Sequence, residues 1–261
     1  MQTAFEYLSV ADARSRRGLR LVLSAGVPGP WGEAAKSILH VKSIPYAAVA
    51  QYATMANEEL VEWTGHANAP VAMCDDEPPR SGWAEILFLA ERVAPEPSLV
   101  PADALERALM FGLAREICGE HGLGWSRRLM MIDSLVAPGA PEQGRRAGEV
   151  LGARYGYSAE VAAAAPARVA SILVAFSAQL GRQRAAGRDF LVGSSLTALD
   201  IYWAAFTVML APLAGADCPL PDNLRRWYSA VGPVVAAALD PALLEHRDRI
   251  YRSYLKLPMT F

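Results

Sequence analysis

The stretch LRLVLSAGVPGPWGEAAKSILHVKSIPY, residues 19–46, holds a strand, a tight turn and a helix in succession. LRLVLSA (19–25) is a short apolar run of the kind that forms a buried strand. GVPGP then breaks it with glycine and proline. Pro30 near the first helical position suits a helix start, because its missing N–H would be unpaired there anyway. Trp31, Ala35, Ile38, Leu39 and Lys42 fall at three- and four-residue steps, which gives the helix one largely apolar face. Pro45 ends it, since the residue before a proline disfavours helix. YAAVAQY (46–52) reads as a second strand, so a parallel pairing would make a right-handed βαβ unit.

The pattern continues outward from there. NEELVEWTGHAN (57–68) reads as a short helix or turn region. APVAMCDDEPPRS (69–81) reads as a hairpin whose second strand, EPPR, is limited by its prolines to an edge. SGWAEILFLAERV (81–93) is an amphipathic helix with Ser81 as the expected N-cap. APEPSLVPAD (94–103) has three prolines and no period, and marks a domain boundary. Beyond it almost every segment is helical in pattern. The expected organisation is an N-terminal extension (1–18), an α/β domain (19–93), a linker (94–103) and an all-helical domain (104–261).

Composition bounds the function. Hydrophobic residues make up 52% of the 261 and charged residues 20%, enough apolar surface for a large core. The net charge of −2 offers no basic footprint for nucleic acid. Arg14, Arg16, Arg17 and Arg20 are a local exception, read as a solvated segment. Cys74, Cys118 and Cys218 are sparse and unpaired in spacing, which argues against a disulfide scaffold or a zinc site and suits a reducing compartment. No signal-peptide pattern opens the chain. The most membrane-like run, residues 201–216, is too short for a span and carries Pro212, so a buried core helix is expected. These features imply a soluble cytoplasmic protein.

The turn itself excludes two common chemistries. GVPGPWG lacks the GK[ST] of a P-loop and the GxGxxG of a dinucleotide site. His40, His66, His121 and His246 show no metal spacing, and Cys118 with His121 supplies two ligands at most. Thr197 and Asp200 form a capping box, with Leu196 and Ile201 placed for the hydrophobic staple, and are assigned to folding. HRDRIYRSYLKLP (246–258) reads as a C-terminal helix or tail packed through Ile250, Tyr254 and Leu257.

Taken in order, PWGEAAKSILHVKSIPY, APVAM, RSGWAEILFLAERV and the late FLVGSSLTALDIYWAAF resemble the cytosolic glutathione S-transferases over about residues 19–240. The resemblance implies a thioredoxin-like N-terminal domain and an all-α C-terminal domain, usually as a homodimer. It implies that glutathione is the co-substrate, with no metal, and that a small apolar electrophile is held between the domains. It also implies a cis bond before Pro70, with the Ala69 backbone turned outward to pair with a peptide ligand as an added strand would. Ser81, at a helix N-terminus, would meet the γ-glutamyl carboxylate. Arg80 stands where relatives have Glu, Gln or Asp, and would either pair with a carboxylate or lie in solvent. Asn68 falls where relatives often carry a basic residue.

One departure is conspicuous. The position at which many relatives carry a thiol-contacting Cys or Ser is Gly29, followed by Pro30 and Trp31. A mixed disulfide cannot form there, which argues against an omega-type oxidoreductase. Thiol activation would fall to the backbone N–H groups and dipole of the following helix. Trp31 would wall the thiol site, stack on an aromatic electrophile, or simply fill an interdomain contact. Ser24 and Tyr7 are possible hydroxyl donors that the sequence does not place. A non-catalytic glutathione-binding or interaction protein on the same scaffold is the alternative to an enzyme.

Overall fold

A computed structural model describes residues 6–261; residues 1–5 of the expected N-terminal extension lie outside the described residues. The chain divides into two compact units. The first runs to Ser98 and takes in Ala214–Pro219 and Arg252–Phe261. The second comprises Leu99–Leu213 and Leu220–Tyr251.

The first unit is built from α1 (Val10–Ser15), β1 (Leu19–Ser24), α2 (Pro30–Val41), β2 (Ala47–Gln51), α3 (Glu58–Thr64), β3 (Val71–Cys74) and α4 (Trp83–Val93). The sheet order is β2-β1-β3, with β1 parallel to β2 and antiparallel to β3. The parallel β1–α2–β2 unit is the expected βαβ, and the whole is the thioredoxin-like arrangement that the resemblance implies. The central strand is buried from Leu19 to Leu23, as a strand covered on both faces must be. EPPR does not form a second hairpin strand. It is reduced to a single bridge, Ala72 with Arg80, closed by hydrogen bonds of 2.8 and 3.0 Å. Pro78 and Pro79 have no N–H to give a ladder, so only Arg80 pairs.

The arginine-rich segment is more than a solvated stretch. Ala13 of α1 is fully buried with Val22, Val49, Leu60, Val71 and Met73. Leu8 adds a parallel bridge to Val49. Arg14 pairs with Glu62 and Arg17 with Asp76. Arg20, in the central strand, is buried, donates to Gly18 O and Asp75 O, and lies over the Trp63 ring. Lys42, the C-cap residue of α2, is also satisfied: its Nζ donates to Glu91 Oε1 at 2.7 Å and Pro97 O at 2.8 Å.

The second unit is helical: α5 (Ala104–Cys118), α6 (Leu123–Val136), α7 (Glu142–Tyr155), α8 (Ala159–Ala185), α9 (Ala198–Thr207), α10 (Asp222–Ser229), α11 (Gly232–Ala238) and α12 (Pro241–Tyr254), whose last turn belongs to the first unit. α9 is buried along its whole length, as expected of the apolar run that contains it. Trp203 stacks on Phe176 at 5.1 Å and donates its indole N–H to Leu243 O. α8 is one continuous helix through Pro166, and it is long and apolar enough by composition to cross a membrane. Its buried residues, among them Ala162, Ala165, Val169, Leu173, Phe176 and Leu180, recur at helical spacing, and it packs against α6 and α11. One face of α8 is therefore packed in the bundle, while the opposite face is exposed.

The capping box is present: Asp200 Oδ2 accepts the Thr197 N–H and hydroxyl, both at 3.0 Å. Its other oxygen accepts from Leu191 N and meets His246 Nε2, both at 2.9 Å. Cys118 and His121 do not share a helix. α5 ends at Cys118, and His121 stands exposed in the turn with φ +62°. A Cβ on Gly122 would lie 2.7 Å from Glu116 O, so the sharp turn there requires glycine. The C-terminal helix packs through His246, Arg247, Ile250, Tyr251 and Leu255, while Tyr254 faces solvent.

Candidate functional site

The β1–α2 turn is positioned from both sides. Ala25 N donates to Gln51 O at the end of β2, and Gly29 N turns back to Val27 O, both at 2.9 Å. Gly26 takes φ +76°, a conformation that favours glycine. Gly29 is the N-cap of α2 and Pro30 its first residue, so no side chain caps this helix end. Gly29 has φ −64°, an ordinary value, so glycine here is a matter of space and not of backbone strain.

What lies beneath Gly29 is Ser24. A Cβ placed on Gly29 would sit 3.4 Å from both Ser24 Cβ and Ser24 Oγ. The Ser24 hydroxyl donates to Gln51 Oε1 at 3.1 Å, and Gln51 Nε2 donates to Ala67 O at 3.0 Å. Gln51 is buried, at 2% exposure. This chain of side-chain bonds ties the end of β1 to the end of β2 and to the loop that leads into Asn68-Ala69-Pro70. The β1–β3 ladder ends with Val22 opposite Val71, immediately after Pro70.

The sequence-expected residues divide into two groups. Gly29 adjoins Ser24, and Ala69 and Pro70 lie just before β3, the strand that pairs with β1. The Ala69–Pro70 peptide is cis, as are Glu96–Pro97 and Leu257–Pro258. Among the described residues no hydrogen bond to the N–H or C=O of Ala69 occurs. Asn68 is exposed, Trp31 half-buried and Pro70 buried.

Arg80 and the Ser81 backbone already have partners within the chain. Arg80 Nη2 lies 2.8 Å from Glu77 Oε2, and its Nη1 donates to Pro78 O. It is therefore not loose in solvent. Glu77 also takes a bond from Arg92, and that bond is the main cause of its carboxyl being held below the ordinary range. Ser81 is not the N-cap of α4. The cap is Gly82, and the Glu85 carboxylate folds back to accept Gly82 N at 2.8 Å and Ser81 N at 3.2 Å. The helix begins one residue later than expected because Glu85, at its third position, supplies the capping oxygen from inside the helix. Part of the anion-binding capacity of this helix end is thus taken by the chain's own carboxylate. Ser81 keeps an exposed hydroxyl.

A second group of titratable residues lies along α2. Glu33 is buried and pairs with Lys36 at 2.8 Å, and Lys36 also donates to Thr260 O of the C-terminal segment. Burial pushes the Glu33 carboxyl up, and Lys36 partly offsets this. Tyr7 and Tyr46 are both raised to about 12, first by burial and then by the charge of Glu33. Tyr7 is therefore coupled to Glu33 and Tyr46, and of the two hydroxyls left open by the sequence Ser24 is the one that adjoins Gly29. No group of three or more His, Cys, Asp or Glu side chains arranged to hold a metal occurs among the described residues.

Sequence reasoning missed the roles of Gln51, Ala67 and Glu85. A buried glutamine at a strand end was the one available signal for the first two.

No protein-family model and no curated protein sequence matches the chain. Solved structures match it along most of its length. A glutathione S-transferase from Methylobacterium radiotolerans, in complex with glutathione sulfonate, is 19% identical with a TM-score of 0.58, covering 93% of this chain and 97% of its own. A rice glutathione S-transferase in complex with glutathione is 19% identical with a TM-score of 0.61, covering 94% and 93%. A beta-etherase from a Sphingobium strain is 18% identical with a TM-score of 0.56, covering 88% and 99%. At these identities the likeness shows the fold, and the fold is that of the glutathione S-transferases.

Proposed function

We propose that this chain binds glutathione at its thioredoxin-like unit and activates the thiol for transfer to a small apolar electrophile. The observation that carries the reading is the β1–α2 turn. There a helix N-terminus without a side-chain cap stands at Gly29, with the Ser24 hydroxyl directly beneath it. A tripeptide would pair its backbone with the N–H and C=O of Ala69. Its thiol would then reach the space above Gly29. The thiol gives its proton to solvent; the helix N-terminus and the Ser24 O–H stabilise the thiolate that remains. The thiolate forms a C–S bond to the electrophile, which either releases a leaving group or takes up a proton from water. Two relatives by fold were solved with glutathione or its sulfonate bound, which supports the choice of ligand. A soluble, cytoplasmic homodimer is part of the same proposal.

Glu85 favours a second reading, a glutathione-binding protein without turnover, because it occupies amides at the α4 N-terminus that a ligand carboxylate would use. One experiment separates the two. Glutathione is titrated by calorimetry, and the thiolate absorbance of the bound ligand is followed across pH. The enzyme reading expects a bound thiol more acidic than free glutathione. Saturable binding with an unshifted thiol leaves the second reading, and absence of binding removes both.

A further inference from the structure

The helical unit contains a buried cation that the proposed chemistry does not use. Arg127 of α6 is 1% exposed. Its Nε donates to Met209 O, and its Nη2 to Trp227 O and Tyr228 O. These carbonyls lie just beyond the end of α9 and in the last turn of α10, where helix dipoles present partial negative charge. Partial charges are all it has: no carboxylate of a described residue lies within ion-pair distance of Arg127. Guanidinium carries five N–H donors. Those on Nη1 go to no described residue. Buried charges are normally paired, because an uncompensated one is costly. Burial, followed by the neighbouring charge of Arg128, lowers Arg127 to about 10, which leaves it cationic at neutral pH.

Arg127 lines a cavity of about 270 Å³ in the same unit. The other walls are mostly apolar: Met130, Ala162, Pro166, Val231 and Val234. Asp133 is on the wall too, and accepts the Tyr157 hydroxyl at 2.7 Å. An apolar cavity of about 150 Å³ takes a benzene ring, so this one has room for a ring with a short substituent.

We propose that this cavity is a binding site for a small monocarboxylate with an apolar body, its carboxylate seated on Arg127 and its body against Met130, Ala162 and Val231. The apolar walls select against inorganic anions. Asp133 selects against dianions such as phosphate esters, because a second negative charge would face its carboxylate. A single carboxylate supplies the counter-charge and the acceptors that Nη1 lacks, and planar guanidinium suits that geometry. The site lies wholly within the helical unit and is independent of the glutathione reading.

The test uses the full chain without glutathione and two probes, 3-phenylpropanoate and its neutral counterpart 3-phenylpropan-1-ol, titrated by calorimetry and ligand-observed NMR. The acid is expected to bind saturably and at least tenfold more tightly than the alcohol. Ala162→Trp fills the cavity while leaving the Arg127 charge in place, and is expected to abolish binding of the acid while leaving glutathione affinity unchanged. Arg127→Gln, which keeps a donor for the carbonyls and removes the charge, is expected to erase the preference for acid over alcohol. If it does not fold, the probe comparison and Ala162→Trp still decide. The proposal is overturned by absence of saturable binding of the acid, by equal affinities for the two probes, or by undiminished binding of the acid to Ala162→Trp.

Discussion

Ser24→Ala probes the proposed thiol site most directly. Ser24 has one O–H to donate, and in the ligand-free structure it goes to Gln51 Oε1 at 3.1 Å. Redirecting it to a thiolate gains a charge-assisted bond of about 1.5–3 kcal/mol and gives up a neutral one of about 0.5–1.5 kcal/mol. The difference is about 1–1.5 kcal/mol, and 1.36 kcal/mol corresponds to one pKa unit. The thiol of bound glutathione is therefore expected to titrate about one unit higher in Ser24→Ala than in the parent. The remaining acidification is assigned to the α2 N-terminus. The same substitution removes the neutral bond to Gln51 in the free protein, so a stability loss of about 0.5–1.5 kcal/mol accompanies it. Ser24→Thr keeps the hydroxyl and is expected to preserve the thiol pKa. Gly29→Ser is the complementary gain. Its φ of −64° suits any residue, and its Cβ would meet Ser24 at 3.4 Å, a tolerable contact. It is expected to acidify the bound thiol further and to raise turnover. The measurement is thiolate absorbance against pH at saturating glutathione, alongside calorimetric affinity. If Ser24→Ala binds glutathione with an unchanged thiol pKa, the hydroxyl has no part in activation and the reasoning fails.

Glu85→Ala removes the carboxylate held on Gly82 N and Ser81 N; it is expected to tighten glutathione binding several-fold by calorimetry while costing about 1 kcal/mol in capping, and weaker binding would show that Glu85 assists the ligand. Lys42→Met leaves Glu91 without the partner 2.7 Å away; a loss of about 3–5 kcal/mol in denaturant unfolding is expected with glutathione affinity unchanged, and a loss below about 1 kcal/mol would refute the buried-pair account. Tyr7 and Tyr46 have folded pKa values near 12 against 10.0 unfolded, so the native state holds protons longer; their stabilising effect is complete below pH 10 and is lost as pH rises toward 12. Tyr46→Phe is expected to flatten that alkaline decline in stability, and an unaltered slope from pH 10 to 12 would contradict it.

The parts of this fold that were legible in the sequence are those whose causes are local. LRLVLSA followed by Gly26, Pro28, Gly29 and Pro30 announces a strand and a helix start, because apolar runs and φ restrictions act within a few residues. The same locality explains the errors. Ser81 looked like the N-cap, but a carboxylate from inside the helix reached back and made Gly82 the cap, and residue preferences alone do not settle which competitor wins. EPPR reads as a short second strand of a hairpin, yet its two prolines withhold the N–H groups that a ladder needs. What could not be read are pairings between distant residues: Ser24 with Gln51, Gln51 with Ala67, Asp200 with His246, and Arg127 with the ends of α9 and α10. These have no periodicity, since they depend on which strand ends and helix ends the topology brings together. The consequence for the site is specific. The sequence shows Gly29 as the loss of a side chain from the thiol position. The structure shows the Ser24 hydroxyl 3.4 Å from where a Gly29 Cβ would stand, bonded to Gln51. A departure in a motif is therefore weak reason to discard an activity until the neighbours that fill the vacated space have been placed.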